Sequence, residues 1–316
     1  MNSGNRGIVN SGNTCYLNSV VQCLTHILFF HPLNKKIKEI FKVENDSENI
    51  SSIWLSINKY MWDNDNSNSI NLSNFILSFC KNIKKSNLYF ENFDQNDSEE
   101  FITLLFDMLH KTLKNKCIEL DTNLDYNKKW YETYKEDNSL IIDYFYSQSK
   151  LITKCTKCDY NTCKYDPFMI YQLSINNKHE TIEDCFKADC KSETIEDWTC
   201  DKCKECSISL NKKMYQKTSE FIIVQLKRYN SNKNKYIKYS EYLDLSEVTL
   251  NSDKSNKYRL LGIIIHQGGL NFGHYYSICY NMIDERWRVY NDENVSDIPK
   301  HLVFNKNPYL LFYKRE

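Results

Sequence analysis

The stretch that decides the fold is Gly7-Ile8-Val9-Asn10-Ser11-Gly12-Asn13-Thr14-Cys15-Tyr16-Leu17-Asn18-Ser19. It places a cysteine where a loop rich in glycine and asparagine meets an amphipathic helix, whose apolar residues recur on one face from Leu17 to Leu28. Unpaired N–H groups and the partial positive charge of a helix N-terminus favour thiolate over thiol. Cys15 is therefore a candidate nucleophile, although a buried structural cysteine opening a helix fits the same local pattern.

A histidine that can serve as its base lies near the other end of the chain. Gly268-Gly269-Leu270-Asn271-Phe272-Gly273-His274-Tyr275 predicts a glycine-flanked loop that leads to a strand, and Trp287-Arg288-Val289-Tyr290-Asn291-Asp292 predicts another strand that ends in an amide and a carboxylate. A thiol protease needs a base and a third group that orients the imidazole. Cysteine, histidine and asparagine in this order supply both, and Asp292 competes with Asn291 for the third role.

Two Cys-x2-Cys pairs, Cys155 with Cys158 and Cys200 with Cys203, lie about forty residues apart in a segment with little apolar content of its own. Four thiolates at this spacing suit a tetrahedral zinc ion, which can replace the missing core. Because four thiolates leave no position open, the sequence predicts one structural zinc per chain and no catalytic metal. Three further thiols nearby leave the ligand assignment open: Cys163, Cys190 and Cys206.

The apolar spacing differs between the two halves of the chain. It is mostly helical to about Leu113, whereas runs rich in β-branched and aromatic residues follow from about Ser149. These runs include Phe221–Leu226, Arg259–His266, His274–Tyr280, Arg286–Tyr290 and Leu310–Tyr313. With no repeat and no Pro- or Gly-rich linker, we predict one α+β domain: a helical lobe at 1–148, a Cys-rich insert at 149–220 and a largely antiparallel sheet lobe at 221–316, with a site between the lobes.

The composition argues against several partners. Acidic and basic residues number 41 each, so no global positive charge attracts nucleic acid or an anionic membrane. Val20–Phe30 is interrupted by polar residues and is too short to span a bilayer. The first residues lack the features of a secretory signal, and the thirteen cysteines are odd in number. We expect a monomeric intracellular protein, cytoplasmic or nuclear, that binds neither nucleic acid nor membrane.

Four motifs carry a resemblance to a known family. Gly7–Leu24 resembles the cysteine box of the ubiquitin-specific proteases, and Tyr258–Val295 with Tyr309–Tyr313 resembles their histidine box and closing strand. Asp94–Phe101 (DQNDSEEF) resembles the family's Gln/Asp/Glu-Phe motif, and Phe221–Tyr229 (FIIVQLKRY) its Leu-Lys-Arg-aromatic strand. The matches run in the family's order over nearly the whole chain. The resemblance implies a papain-like cysteine protease, with a helical thumb, an antiparallel-sheet palm and zinc-bearing fingers, that removes ubiquitin from other proteins.

The resemblance also implies the catalytic roles. Cys15 becomes the nucleophile, His274 the general base and acid, and Asn291 the group that orients His274, where many relatives have Asp. Asn10 would help to bind the oxyanion of the scissile carbonyl, although it fits a loop-shaping role too. Asp292 remains a competitor or helper of Asn291.

Substrate recognition is implied in the same way. Ubiquitin's tail is extended, carries arginines and ends in two glycines, so the protease needs acidic anchors and a narrow channel. The family pattern places these contacts at Gln95, Asp97, Glu100, Gly273 and Tyr275, although an acidic helix start also fits ordinary capping. The segment 267–273 resembles a mobile blocking loop of the family. We expect ubiquitin and ubiquitinated proteins as partners; the alternatives are a catalytically dead ubiquitin-binding module and a protease for a ubiquitin relative.

Overall fold

The structure, a computed structural model, describes residues 4–28, 36, 49–63, 69–85, 94–114, 122–228, 234–251, 254–269 and 273–316, with the backbone alone at 206 and 207. Helices occupy the first part: α1 (Cys15–Leu28), α2 (Ile50–Trp62), α3 (Ser73–Lys85), α4 (Ser98–Thr112), α5 (Asp125–Tyr134) and α6 (Leu140–Phe145). None of the helices in these ranges is long and apolar enough to cross a membrane.

Strands and two short helices form the rest of the described chain. They are β1 (Ser147–Cys155), β2 (Asn161–Phe168), β3 (Ile170–Ser174), α7 (Ile182–Asp189), β4 (Glu193–Thr199), β5 (Cys206–Lys217), β6 (Phe221–Lys227), β7 (Tyr242–Asp244), β8 (Lys257–Gly268), β9 (Gly273–Asn281), β10 (Arg286–Asn291), β11 (Asn294–Asp297), α8 (Lys300–Val303) and β12 (Leu310–Arg315). The predicted α+β class, with a helical lobe before a sheet lobe, is confirmed.

The larger sheet has the strand order β11-β10-β9-β8-β12-β6-β3, with β7 paired to β8. It contains all five strands that the β-branched runs predict. Its pairs are antiparallel except for β3 with β6, which run parallel. A parallel pair needs a long crossover, and here the chain between the two strands contains α7 and part of the smaller sheet.

The smaller sheet has the order β2-β1-β5-β4 and is antiparallel throughout. It is the predicted Cys-rich insert, but β3 and α7, which fall within 149–220, belong elsewhere. β3 pairs in the larger sheet, and α7 packs against it through Phe186 and Tyr171. Residues 149–220 therefore contribute strands to both sheets. The subdivision of one domain into three parts stays a prediction.

Helix α1 lies at the centre of the molecule, against β8, β9 and α4. All fourteen of its residues are buried, so the polar face of the predicted amphipathic helix is covered as well. The segment before the helix covers it: Gln22 Nε2 donates to the Arg6 carbonyl at 2.7 Å, and Asn18 Nδ2 donates to the Val9 carbonyl at 3.4 Å. This burial fixes the position of Cys15, the first residue of the helix.

Candidate active site

The loop before Cys15 is shaped by Asn10. Its Oδ1 accepts the main-chain N–H groups of Gly12, at 3.0 Å, and Thr14, at 3.2 Å. Gly12 and Asn13 have φ values of 97° and 52°, a left-handed turn that glycine and asparagine tolerate best. The turn leads directly into α1, so the alternation of glycine and asparagine in this stretch explains where Cys15, the predicted nucleophile, lies.

Cys15 is 5% exposed. Burial raises the pKa of its thiol, the hydrogen bond from the Tyr275 main-chain N–H lowers that pKa, and the charge of Asp292 raises it again. The net shift is upward, opposite to the direction that the helix start alone favours, because loss of hydration outweighs the amide donors. Although the Tyr275 contact places the sulfur beside the histidine loop, no hydrogen bond joins Cys15 to His274 in the described chain.

His274 bonds to Asn291: Nε2 lies 2.5 Å from the side-chain oxygen Oδ1. Because a carboxamide oxygen accepts, Nε2 must carry the proton, and Nδ1 is left as the basic nitrogen of the neutral ring. His274 is the second residue of β9, and Asn291 is the last residue of β10, the strand paired to it. The two predicted partners therefore meet at the ends of neighbouring strands.

Asp292 points elsewhere. Its Oδ2 accepts from Asn10 Nδ2 at 2.9 Å, and its Oδ1 accepts from Asn18 Nδ2 at 2.8 Å. Its φ of 50° turns the chain out of the strand, and its carbonyl accepts the Ile8 N–H at 2.8 Å. Asp292 therefore fastens the cysteine loop and α1 to the end of β10, without a hydrogen bond to His274 among the described contacts.

Gly7 explains how closely these two segments approach. A Cβ built on Gly7 would lie 2.3 Å from the carbonyl oxygen of Glu293, the residue after Asp292. No side chain fits in that space, so only glycine allows the cysteine loop to pack directly against the β10–β11 turn.

The predicted acidic anchors lie at the start of α4, where Asp97 is the N-cap and accepts the Glu99 N–H at 2.7 Å. Its two carboxylate oxygens also accept from the Tyr309 hydroxyl, at 2.8 and 2.9 Å, and Tyr275 Oη lies 3.4 Å away. Asp97 thus has the capping role that its position allows, and it joins the helical lobe to the sheet lobe. Two other predicted anchors are exposed: Gln95 and Glu100.

Gly273 and Tyr275 both lie against His266, which the sequence reading missed. A Cβ on Gly273 would lie 2.0 Å from His266 Nε2, and the Tyr275 ring stacks on the imidazole with centroids 4.4 Å apart. Of the predicted blocking loop at 267–273, residues 270–272 lie outside the described residues.

A cavity of about 500 Å³ opens beside this stack. It is lined by Arg228, Asn234, Ile265, His266, Gln267, Gly268, Tyr276, Asn305, Lys306, Asn307 and Tyr309. Its lining includes Tyr309, whose hydroxyl binds Asp97, so the cavity adjoins the predicted acidic anchors of the substrate.

The four predicted zinc ligands come together. The sulfur atoms of Cys155, Cys158, Cys200 and Cys203 all lie within 4.8 Å of one another, and that of Cys158 is 3.6 Å from that of Cys200. Thiolates around tetrahedral zinc lie about 3.8 Å apart, so the cluster fits this ion. Of the three nearby thiols, Cys163 is exposed on β2 and Cys190 is buried, both outside the cluster, and the Cys206 side chain lies outside the described residues.

Both knuckles turn in the same way. The residue after the second cysteine of each pair is left-handed, with φ of 56° at Asp159 and 60° at Lys204. This repeated turn brings the two sulfur atoms of each pair to one side, which is what a shared ion requires.

Comparison with known proteins agrees with this geometry. The model of the ubiquitin carboxyl-terminal hydrolase family matches residues 6–313. The chain belongs to this family. The human ubiquitin carboxyl-terminal hydrolase 21 is 26% identical over 356 residues, which cover 99% of this chain and 62% of that protein. The Drosophila melanogaster ubiquitin carboxyl-terminal hydrolase Usp2 is 28% identical, over 98% of this chain and 34% of that protein.

Solved structures show the same hydrolase fold. The SAGA Ubp8/Sgf11/Sus1/Sgf73 DUB module bound to ubiquitin aldehyde contains a chain with a TM-score of 0.78 and 24% identity, matched over 99% of this chain and 70% of that one. The predicted fold of the ubiquitin-specific proteases is thereby confirmed. Since the chain spans 62% of the length of the first curated relatives, activity and substrate are inferred from the site.

Proposed function

We propose that this member of the hydrolase family is a thiol-dependent deubiquitinase, which hydrolyses the isopeptide or peptide bond after the C-terminal glycine of ubiquitin. The observation that carries the proposal is the 2.5 Å contact of His274 with Asn291, next to Tyr275, whose main-chain N–H lowers the pKa of the Cys15 thiol. Cysteine, histidine and asparagine in this arrangement support the roles of nucleophile, general base and orienting group.

The first step is attack on the scissile carbonyl. His274 Nδ1 takes the Cys15 proton, and the thiolate then adds to the carbonyl carbon. Collapse of the tetrahedral intermediate transfers that proton to the leaving amine and leaves a thioester on Cys15; a water activated by the same imidazole hydrolyses it. In this proposal His274 approaches Cys15 when the reaction begins, since the described residues show no hydrogen bond between them.

Asn10 supports the charge that develops on the carbonyl oxygen. One of its Nδ2 hydrogens is held by Asp292, and a carboxamide nitrogen carries two. The second is available for the oxyanion, together with main-chain N–H groups near Cys15. Asp292 thus orients the Asn10 side chain, while Asn291 orients the His274 ring.

The ubiquitin tail is proposed to pass between the start of α4 and β9. Gln95 and Glu100 are exposed there, and the Asp97 carboxylate lies next to Tyr275 and Tyr309. These carboxylates suit the arginines of the tail. Gly273, packed against the His266 ring, suits a channel wide enough for glycine only.

Zinc and cellular context complete the proposal. Zinc would be held by Cys155, Cys158, Cys200 and Cys203 and would stabilise the smaller sheet, with no part in the chemistry. None of the eleven cysteines whose side chains are described forms a disulfide, and an intracellular location, cytoplasmic or nuclear, stays a prediction. It stays a prediction that the protein is monomeric, acts on ubiquitinated proteins and binds neither nucleic acid nor membrane.

A ubiquitin probe with an electrophilic C-terminus tests the proposal. It should label the wild-type chain and not Cys15→Ala, which should still bind ubiquitin because the thiol contributes little contact area. Parallel conjugates of ubiquitin-like modifiers test the choice of modifier. Binding without labelling or cleavage would leave only a ubiquitin-binding module, and labelling that persists in Cys15→Ala would move the nucleophile elsewhere.

A further inference from the structure

A row of polar side chains runs along α1 behind the nucleophile. Asn18, Gln22 and His26 follow Cys15 at intervals of three and four residues, so all four lie on one face of the helix. All are buried, and Asn18 and Gln22 bind the main chain of residues 6–9. Buried polar groups with partners specify a unique packing, so each of these side chains fixes the position of what it binds.

His26, the last in this row, binds the strand that ends at Asn291. Its Nε2 lies 2.9 Å from the Tyr290 hydroxyl, and its Nδ1 lies 2.7 Å from the Gln22 carbonyl. The Tyr290 hydroxyl also donates to the Gly4 carbonyl at 2.8 Å. The imidazole and Tyr290 rings are in contact, with centroids 4.9 Å apart. His26 and Tyr290 are each 1% exposed, so solvent water does not compete for the hydrogen bond between them.

Tyr290 immediately precedes the residue that orients the base. Successive residues of a strand point to opposite faces. Tyr290 therefore points inward to His26, while Asn291 is exposed and bonds to His274. The hydrogen bond of His26 with Tyr290 thus connects the helix that carries Cys15 to the strand that carries Asn291, in addition to the contact of Asn18 with Asp292 just beyond the strand end.

We propose that His26 is a positioning residue for the reaction: through Tyr290 it fixes where the Asn291 carboxamide, and with it the His274 ring, lies relative to Cys15. His26 touches none of the reacting atoms. The inference rests on the proposed function, because it concerns the same catalytic groups.

The protons in this cluster define the state of the link. Burial lowers the pKa of His26 to about 4, so the ring is neutral near pH 7 and carries one proton. That proton belongs on Nδ1, which faces a carbonyl; Nε2 then accepts. The single Tyr290 hydroxyl proton is shared between Nε2 and the Gly4 carbonyl. Loss of the His26 acceptor or of the hydroxyl therefore breaks the same link.

Three variants separate this link from simple packing. His26→Asn removes the atom that reaches Tyr290, His26→Gln keeps a polar atom near the Nε2 position, and Tyr290→Phe removes only the hydroxyl. His26→Asn and Tyr290→Phe should each lower kcat on a ubiquitin–fluorophore conjugate by about tenfold, because misplacement of catalytic groups acts on the chemical step. KM should stay within about twofold, and the acidic limb of the kcat–pH profile, which reports the base, should move.

Two further comparisons complete the test. His26→Gln should recover most of kcat, and the double variant His26→Asn/Tyr290→Phe should lose no more than Tyr290→Phe alone, because the loss of the hydroxyl already removes the link to His26, together with the bond to the Gly4 carbonyl. Unchanged kcat and pH profile in Tyr290→Phe would overturn the inference, and so would equal losses in His26→Gln and His26→Asn. If His26→Asn does not fold, the kcat and pH profile of Tyr290→Phe alone decide whether the inference holds. Failure of the proposed function is distinct, since the wild-type chain would then not cleave the conjugate.

Discussion

The Asp292 carboxylate accepts a hydrogen bond from the Asn10 carboxamide at 2.9 Å, across the junction between the cysteine loop and the end of β10. Its neighbour Asn291 turns the other way and bonds to His274. Two adjacent polar residues thus serve opposite sides of the site, because β10 ends at Asn291 and Asp292 adopts a left-handed conformation. This division allows their contributions to be measured separately.

Asn291→Ala should lower kcat by about a hundredfold or more, by analogy with the loss of the orienting group of a triad. Asp292→Ala should cost clearly less, because His274 keeps its partner. Asn291→Asp should retain activity, since a carboxylate also accepts from Nε2. Asp292→Ala and Asn10→Ala remove one shared hydrogen bond, so their losses should be less than additive in the double variant, although Asp292 also binds Asn18. A larger loss of kcat at Asp292 than at Asn291 would move the orienting role to the carboxylate.

The raised pKa of Cys15 predicts slow alkylation of the free protein at neutral pH. The rate of reaction with iodoacetamide should rise with pH through a pKa above that of an ordinary cysteine, because only the thiolate reacts. Peptide-level mass spectrometry gives this rate at Cys15 and, as a reference, at the exposed Cys163. A thiolate at Cys15 that persists below pH 7 would show that the pair with His274 is already formed without ubiquitin.

Elemental analysis should find one zinc per chain, and Cys200→Ser should lose it. Because metal binding contributes directly to folding here, this variant should unfold at a lower temperature and bind ubiquitin more weakly. Cys163→Ser is the matched control, since that thiol lies on the same small sheet but outside the cluster. Metal-free protein with wild-type unfolding temperature and activity would exclude the structural zinc.

The acidic start of α4 can be tested without loss of the helix cap. Asn caps helices as well as Asp, so Asp97→Asn removes the charge while keeping an acceptor for the Glu99 N–H and Tyr309. Glu100→Gln is the exposed counterpart. Each should raise KM for ubiquitin conjugates, by about twofold to fivefold at the exposed Glu100, and the effect should shrink with added salt. KM should not change for a tail peptide without arginines. If KM for ubiquitin conjugates does not change either, the acidic residues at the start of α4 serve only to cap the helix.

The sequence predicted two groups of residues that the structure brings together, because each group stands in short motifs whose local geometry is predictable; their chemical roles stay predictions. The contact of His274 with Asn291 follows from two strand ends that pair, and the cysteine cluster follows from its spacing. Contacts between distant segments were out of reach: nothing local shows that Tyr309 binds Asp97, or that His266 stacks on Tyr275. The direction of the Cys15 pKa shift was wrong for the same reason, since burial by the rest of the fold outweighs the local helix start.

The division of the Cys-rich insert shows a second limit. Composition marks 149–220 as unusual, but the return of β3 and α7 to the larger sheet depends on the parallel pairing with β6. Two parallel neighbouring strands are joined by a long crossover, so no short turn in the sequence indicates that they pair. The close approach of Gly7 to the Glu293 carbonyl is likewise visible only in the structure, because a glycine in a sequence does not show which neighbour requires it.

His26 gives a prediction for stability against pH. Its pKa is lowered to about 4 in the folded chain, chiefly by burial, against about 6.5 when unfolded. Between these values the unfolded chain binds the extra proton, so the free energy of unfolding must fall as the pH drops from about 6.5 to about 4. The two nearby charges, Arg288 and Asp284, act in opposite directions on this pKa.

The full difference of about 2.5 pKa units corresponds to about 3 kcal/mol. Other groups titrate in the same range, so the test is a comparison of wild type with His26→Gln, which cannot take up this proton. Urea unfolding at intervals from pH 7.5 to pH 4 should give a smaller loss of unfolding free energy in the variant, with the two curves parallel above pH 7. Parallel curves over the whole range would show that the pKa of His26 is not lowered in the folded chain.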